Sequence, residues 1–184
     1  MQRRHSLLRK AALTCVAVIM SMQSAAGNST RQHLDVEYFP TPEAAVDKML
    51  ELADVSEQDY LIDLGSGDGR IPIAAAKRFG TRALGVDIDP ERVAEATQNA
   101  KNEGVDDKVQ FKRQNLFDTD ISEASVLTMF LLGSINMKLR PRILRELKPG
   151  ARVVSYSFNM GDWVPDRVAS VDGQPIYLWI VPDR

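Results

Sequence analysis

Hydrophobic positions along the chain change their period several times, and each change marks an element. Val46, Met49, Leu50 and Ala53 recur at i, i+3, i+4 and i+7, the spacing of one buried helical stripe, and predict a helix over residues 44–53. Thr41 is placed to cap it, with Pro42 at its first position and Glu43 in its first turn. The apolar run Tyr60-Leu61-Ile62 leads through Asp63 into Gly65, Gly67 and Gly69, and then into an alanine-rich amphipathic segment over 71–79, which reads as strand, tight turn and helix. A second strand follows at 82–87. Asp89 and Pro90 open a helix with Val93, Ala96 and Ala100 on its inner face and Gly104 at its end, and Val109-Gln110-Phe111-Lys112 is the third strand. Residues 125–132 form an uninterrupted apolar run, as a parallel strand covered on both faces requires. Gly133 to Asn136 reads as a turn, Pro141 as the start of a helix carrying Ile143, Leu144 and Leu147, and Lys148-Pro149-Gly150 as its stop. A strand at 152–158 and two short ones at 168–171 and 176–181, hinged on Asp172-Gly173, complete the chain.

Strands alternating with helices predict an α/β protein: one Rossmann-like doubly wound sheet of seven strands with a C-terminal antiparallel hairpin. Length agrees with a single domain of 184 residues, and 44% hydrophobic with 26% charged residues is ordinary for a soluble protein. A formal net charge of -2 with scattered Lys and Arg gives no basis for expecting nucleic acid as a partner. The first residues stand apart. Arg3, Arg4, Arg9 and Lys10 precede an apolar core at 11–22 and the small residues Ser24-Ala25-Ala26, so residues 1–26 are expected to be a signal peptide, or an uncleaved anchor, ahead of a domain at 27–184. An exported or periplasmic product follows from that reading; a start at Met20 or Met22 would give a cytoplasmic one. No stable membrane span is expected after cleavage, and a monomer is. Cys15, the single cysteine, lies in the leader, so no disulfide or thiol nucleophile is expected in the domain. His5 and His33 lie in or near the leader too, which leaves the domain neither a metal site nor a catalytic triad.

Candidate chemistry concentrates where the strands end. Glycines tolerate positive φ and present no Cβ, so a ligand can lie against the bare amides of the turn Gly65-Ser66-Gly67-Asp68-Gly69 at the helix N-terminus. An ordinary glycine-rich βα turn is the plain alternative. Asp87, followed by Ile88, stands about twenty residues past the turn at the end of the second strand, where a carboxylate accepts from ribose hydroxyls. Asn115 and Leu116 follow the third strand, where an adenine ring would end; an asparagine in a turn is the bland alternative. The third glycine comes one residue too early for a dinucleotide turn, and Asp63 and Asp68 would repel a pyrophosphate but suit an ammonium group. A ligand with an amino acid at one end and an adenosine at the other, S-adenosyl-L-methionine, satisfies all of these residues.

The segment from Asp63 to Asp87, with Asn115 and Leu147-Lys148-Pro149-Gly150, resembles the class I S-adenosylmethionine-dependent methyltransferases. Tyr38-Phe39-Pro40-Thr41-Pro42, Gly67-Asp68-Gly69-Arg70-Ile71, Thr128-Met129-Phe130-Leu131-Leu132 and the run from Leu147 to Ser155 are similar to the broad-specificity archaeal protein-lysine methyltransferases. Those are relatives of the mitochondrial enzymes acting on the ATP synthase c-subunit and the adenine nucleotide translocase. The resemblance implies a sheet with a reversed last strand, and methyl transfer to lysine side chains of a protein partner. The cofactor-binding set it implies is Asp63, Gly65, Ser66, Gly67, Asp68, Gly69, Asp87, Ile88, Asn115 and Leu116. Tyr38, Thr41 and Tyr156 are the candidates for lining the substrate channel, and none is an obvious base. The chain departs from its relatives with Asn115 near the adenine and with Tyr156-Ser157 where a histidine and an acid often stand. A small-molecule methyltransferase and an exported, non-catalytic binding module are the competing expectations.

Overall fold

The computed structural model describes residues 39–184. The leader with Cys15, both histidines and Tyr38 fall outside the described residues. The elements in order are α1 (Glu43–Leu52), β1 (Tyr60–Leu64), α2 (Arg70–Phe79), β2 (Arg82–Asp87), α3 (Pro90–Asn102), β3 (Val109–Arg113), β4 (Val126–Met129), α4 (Gly133–Glu146), β5 (Arg152–Tyr156), β6 (Arg167–Val171) and β7 (Gln174–Ile180). A short 3-10 turn, Leu116–Asp118, joins β3 to β4. They build one seven-stranded sheet in the order β3-β2-β1-β4-β5-β7-β6. The first five strands are parallel, and β7 slots between β5 and β6 antiparallel to both, as the resemblance implied.

Alternation along the strands sorts side chains into two cores. Leu61, Val126, Val154 and Tyr156 face α1 and α2, whereas Ile62, Leu64, Leu127, Met129 and Val153 face α4. By the same period of two, Asp63 and Thr128 share the first face and Ser155 the second. Among the described residues α4 is the one α-helix on the second face. An aromatic group fills much of the rest: the ring centroids of Trp179 lie 5.7 Å from Trp163 and 5.6 Å from Tyr177, and the Trp179 indole N–H donates to the Trp163 carbonyl at 2.7 Å. Trp179→Phe removes that hydrogen bond and part of a fully buried side chain, so a loss of about 1–3 kcal/mol is expected from urea unfolding with an unchanged slope.

Three expectations are corrected. Thr41 does not cap α1: the N-cap is Pro42, whose carbonyl accepts from Ala45 and Val46 N–H, and no side chain caps the helix. Gly133 to Asn136 is not a turn but the first turn of α4, and Pro141 lies inside that helix instead of starting it. The buried stripe Ile135, Leu139, Ile143 and Leu147 runs through the proline, and burying those side chains outweighs the roughly 3 kcal/mol that an interior proline costs. Finally, β5 ends at Tyr156 and not at 158, because Ser157 takes φ 65° and turns the chain out of the sheet.

Candidate active site

The carboxyl ends of β1, β2, β4 and β5 meet at one edge of the sheet, where the strand order reverses and ligands lodge in such folds. Asp63 sits one residue from the end of β1 and is 2% exposed. It pairs in register with Thr128 of β4, whose hydroxyl donates to Asp63 Oδ1 at 2.7 Å. Burial pushes the Asp63 carboxyl up to about 7; the Thr128 hydroxyl opposes the rise, and the carboxylates of Asp87 and Asp68 add to it.

The following turn is held by its own amides. Gly65 and Ser66 N–H both donate to the Val86 carbonyl at 2.9 Å, and Gly67 N–H donates to Asp87 Oδ2 at 2.9 Å. Asp87 accepts through its other oxygen from Asp89 N–H at 3.0 Å, so this carboxylate staples the turn to the end of β2 as well as facing the crevice. Gly65, Gly67 and Gly69 have φ of 77°, 53° and 82°. They serve different ends. Gly65 is exposed at the crevice, but a Cβ on Gly69 would lie 2.5 Å from the Phe111 ring and 2.9 Å from Ala96, so its bareness is used by packing. Gly85 beneath it has the same need, 2.5 Å from that ring.

Ser66 supplies the observation that tests for a ligand: its hydroxyl is buried without a hydrogen-bond partner, in the turn between Asp63 and Asp68. Such a donor set fits S-adenosylmethionine. Asp63 suits its ammonium and Asp87 with Ile88 its ribose, whereas the amides of Gly65, Ser66, Gly67 and Gly69, expected to face a ligand, already donate within the turn and to the end of β2. Asn115 is exposed and its Oδ1 accepts from Phe117 N–H at 2.9 Å, capping the 3-10 turn. Its bland role is therefore present, and a second lone pair remains for an exocyclic amine. Leu116 is half-buried against the α4 core.

Asp68 does not stand bare as an ammonium partner. Arg70 Nε donates to its two oxygens at 2.9 and 3.1 Å, and Arg70 Nη1 reaches the Thr41 carbonyl at 2.8 Å. The glycine turn is thereby tied to the proline-bracketed segment before α1. Thr41 and Tyr156, the two channel candidates among the described residues, are each 5% exposed. Tyr156 packs edge-on against Phe130 with centroids 4.8 Å apart, an aromatic wall on the α1 face. Arg70→Lys keeps the charge but not the fork that grips Asp68 and Thr41 together. Turnover is expected to fall about tenfold with cofactor affinity changed less than about threefold, as separate calorimetry and initial-rate measurements would show.

Sequence reasoning missed Thr128, Arg70 and Phe111. Thr128 left a trace, a lone hydroxyl in an apolar strand; Phe111 left none, because its ring reaches Gly69 and Gly85 only once β3 lies beside β2.

The sequence profile described as the ANTKMT methyltransferase domain matches residues 63–167. A protein-lysine N-methyltransferase of Saccharolobus islandicus (strain REY15A) is 46% identical, over 81% of this chain and 96% of its own length. The human lysine N-methyltransferase of the ATP synthase c-subunit is 37% identical over 59% of this chain, which spans 46% of that protein. Among solved structures, an RNA methyltransferase from Salinibacter ruber in complex with S-adenosyl-L-homocysteine superimposes with a TM-score of 0.78 at 53% identity, over 79% of this chain and 95% of that one.

Proposed function

The chain belongs to the family of ANTKMT methyltransferase domains and is an S-adenosylmethionine-dependent methyltransferase, and from that premise we propose that it methylates the side-chain amine of protein lysines. The observation that carries the substrate class is the 46% identity to the archaeal protein-lysine enzyme over nearly all of that enzyme's length.

The bound cofactor supplies a methyl group already activated on a sulfonium. What remains for the chain is placement and protonation. A free lysine has a pKa of roughly 10.4, so the site must favour the neutral amine, and a low-dielectric wall does so by penalising the ammonium. Phe130 and Tyr156 form such a wall at the ends of β4 and β5, next to the cofactor turn. Asp63, Ser66, Gly67 and Asp87 are proposed to hold the donor, and Tyr38, Thr41 and Tyr156 to line the approach. Pre-orienting the amine lowers the entropic part of the barrier, which is where a site with no dedicated base acts.

The test is to incubate the purified chain with labelled S-adenosylmethionine and a cell lysate, then map the label by mass spectrometry. Methylated lysine side chains are expected; label confined to small molecules overturns the reading. A second reading, methylation of RNA, is favoured by the name of the Salinibacter relative. Label removed by ribonuclease and spared by protease would establish it in place of the first. The basic and apolar leader supports our further proposal of export, which N-terminal sequencing of fractionated cells decides: a start near residue 27 outside the cytoplasm is expected, and an intact leader on a cytoplasmic product overturns it.

A further inference from the structure

Asn136 lies in the first turn of α4 and is fully buried. Its Nδ2 donates to Ser155 Oγ at 3.0 Å, to the Phe158 carbonyl at 3.1 Å and to the Asn159 carbonyl at 3.4 Å, while Ser155 Oγ donates to the Phe158 carbonyl at 2.7 Å. The amide oxygen of Asn136 is buried with no partner. Burying an amide and leaving its acceptor unmet is unfavourable, so the three contacts of its donor end are what the fold retains it for. They go to the end of β5, at Ser155, and to the segment that leaves it, at Phe158 and Asn159.

That segment is strained. Phe158 N–H donates back to the Tyr156 carbonyl at 2.9 Å around Ser157 at φ 65°, a γ-turn of the rarer positive-φ form. Such strain persists only where the surroundings over-determine it, and it gathers at functional sites. Here α4 grips the segment three times: through Asn136, through Met137, whose sulfur would lie 2.7 Å from a Cβ on Gly161, and through Arg140, which donates to the Met160 carbonyl at 3.2 Å and pairs with Asp162. Because Ser155 faces α4 and Tyr156 faces α1, a hold on Ser155 from behind fixes the ring of Tyr156 in front.

We infer that Asn136 is a positioning residue: from the α4 side of the sheet it holds the strained turn at Ser157 and so fixes Tyr156 and the acceptor-side wall. The inference rests on reading the ends of β4 and β5 as the side from which the methyl acceptor enters.

Asn136→Ala in the full chain tests it. Hydrogen exchange of the amides at 157–162 is expected to speed up at least about tenfold, while those of the glycine turn at 65–69 stay unchanged and S-adenosylhomocysteine affinity moves less than about threefold. With any acceptor found for the wild type, kcat is expected to fall at least about tenfold with KM for the cofactor preserved. Ser155→Ala, which leaves two of the three donor contacts, is expected to give a smaller change of the same pattern. Unchanged exchange at 157–162 overturns the inference, and so does exchange that rises equally in the glycine turn, since that is a merely structural role. If Asn136→Ala does not fold, Ser155→Ala is judged by the same two outcomes. Exchange and product binding need no acceptor, so a failure to methylate lysine leaves this result standing and counts against the substrate reading alone.

Discussion

Asp63→Asn is expected to weaken S-adenosylmethionine binding by roughly 100-fold or more, from loss of a charge-assisted contact in a buried site, while making the cofactor-free protein more stable above pH 7. The two effects share one cause. Burial, assisted by Asp87 and Asp68, raises the Asp63 carboxyl from 3.8 to about 7. A raised acid binds its proton more tightly in the folded state. Its favourable contribution is therefore complete below pH 3.8 and is lost as pH rises through about 7. A rise of about three units corresponds to about 4 kcal/mol across that range. Asparagine keeps the shape and can still accept from Thr128, but it carries no proton to lose. Urea unfolding of the two proteins at pH 5 and pH 8 measures this: the wild type should lose stability between the two relative to the variant. Parallel pH profiles, or an unchanged cofactor affinity by calorimetry, would sink the account. Under the role proposed for Asp63, stability at this position is given up so that a charged carboxylate is available when a cationic ligand arrives.

The second large effect concerns the glycines. Gly69→Ala is expected to cost about 2–5 kcal/mol, from left-handed backbone strain of roughly 1–2 kcal/mol plus an overpacking term of about 1–3 kcal/mol. The strain follows from φ 82° and the overpacking from the 2.5 Å approach to the Phe111 ring. Gly85→Ala meets the same ring without a positive φ, so only the overpacking term applies. Combining each with Phe111→Leu removes the ring's share: the double variants should recover that part at both positions, leaving at Gly85→Ala the 2.8 Å approach to the Ser66 Cβ and at Gly69→Ala the strain of φ 82° with the 2.9 Å approach to the Ala96 Cβ. A loss remaining in the Gly69→Ala double variant no larger than that in the Gly85→Ala one would show that φ at residue 69 carries little of the cost. Denaturant titration of the four variants reads it directly.

The same pair of glycines shows how far the sequence can be read. Three glycines between an apolar run and an amphipathic segment announce the turn, because no other residue type adopts φ of 77°, 53° and 82° within five positions at so little cost. Which glycine serves a ligand and which makes room for Phe111 is not legible, since that ring comes from a strand more than forty residues away. Pro141 misleads for a related reason. Local propensity puts a proline at a helix start, but the stripe from Ile135 to Leu147 is buried as one surface by the sheet, and tertiary burial decides the boundary. Thr41 suggests a cap on residue type alone; the structure uses its carbonyl instead, as the partner of Arg70.

By itself the sequence determined the element order, the parallel sheet with its closing hairpin, and a glycine turn entered through Asp63 and answered by Asp87, because period, turn chemistry and short spacings are local properties of the chain. Tertiary structure alone decided the protonation of Asp63, the pairing with Thr128, the clamp from Arg70 to Thr41, and the hold of Asn136 on the turn after β5. Each of these depends on desolvation or on two groups far apart in sequence meeting at one end of the sheet, and neither has a signature until the strands are laid side by side.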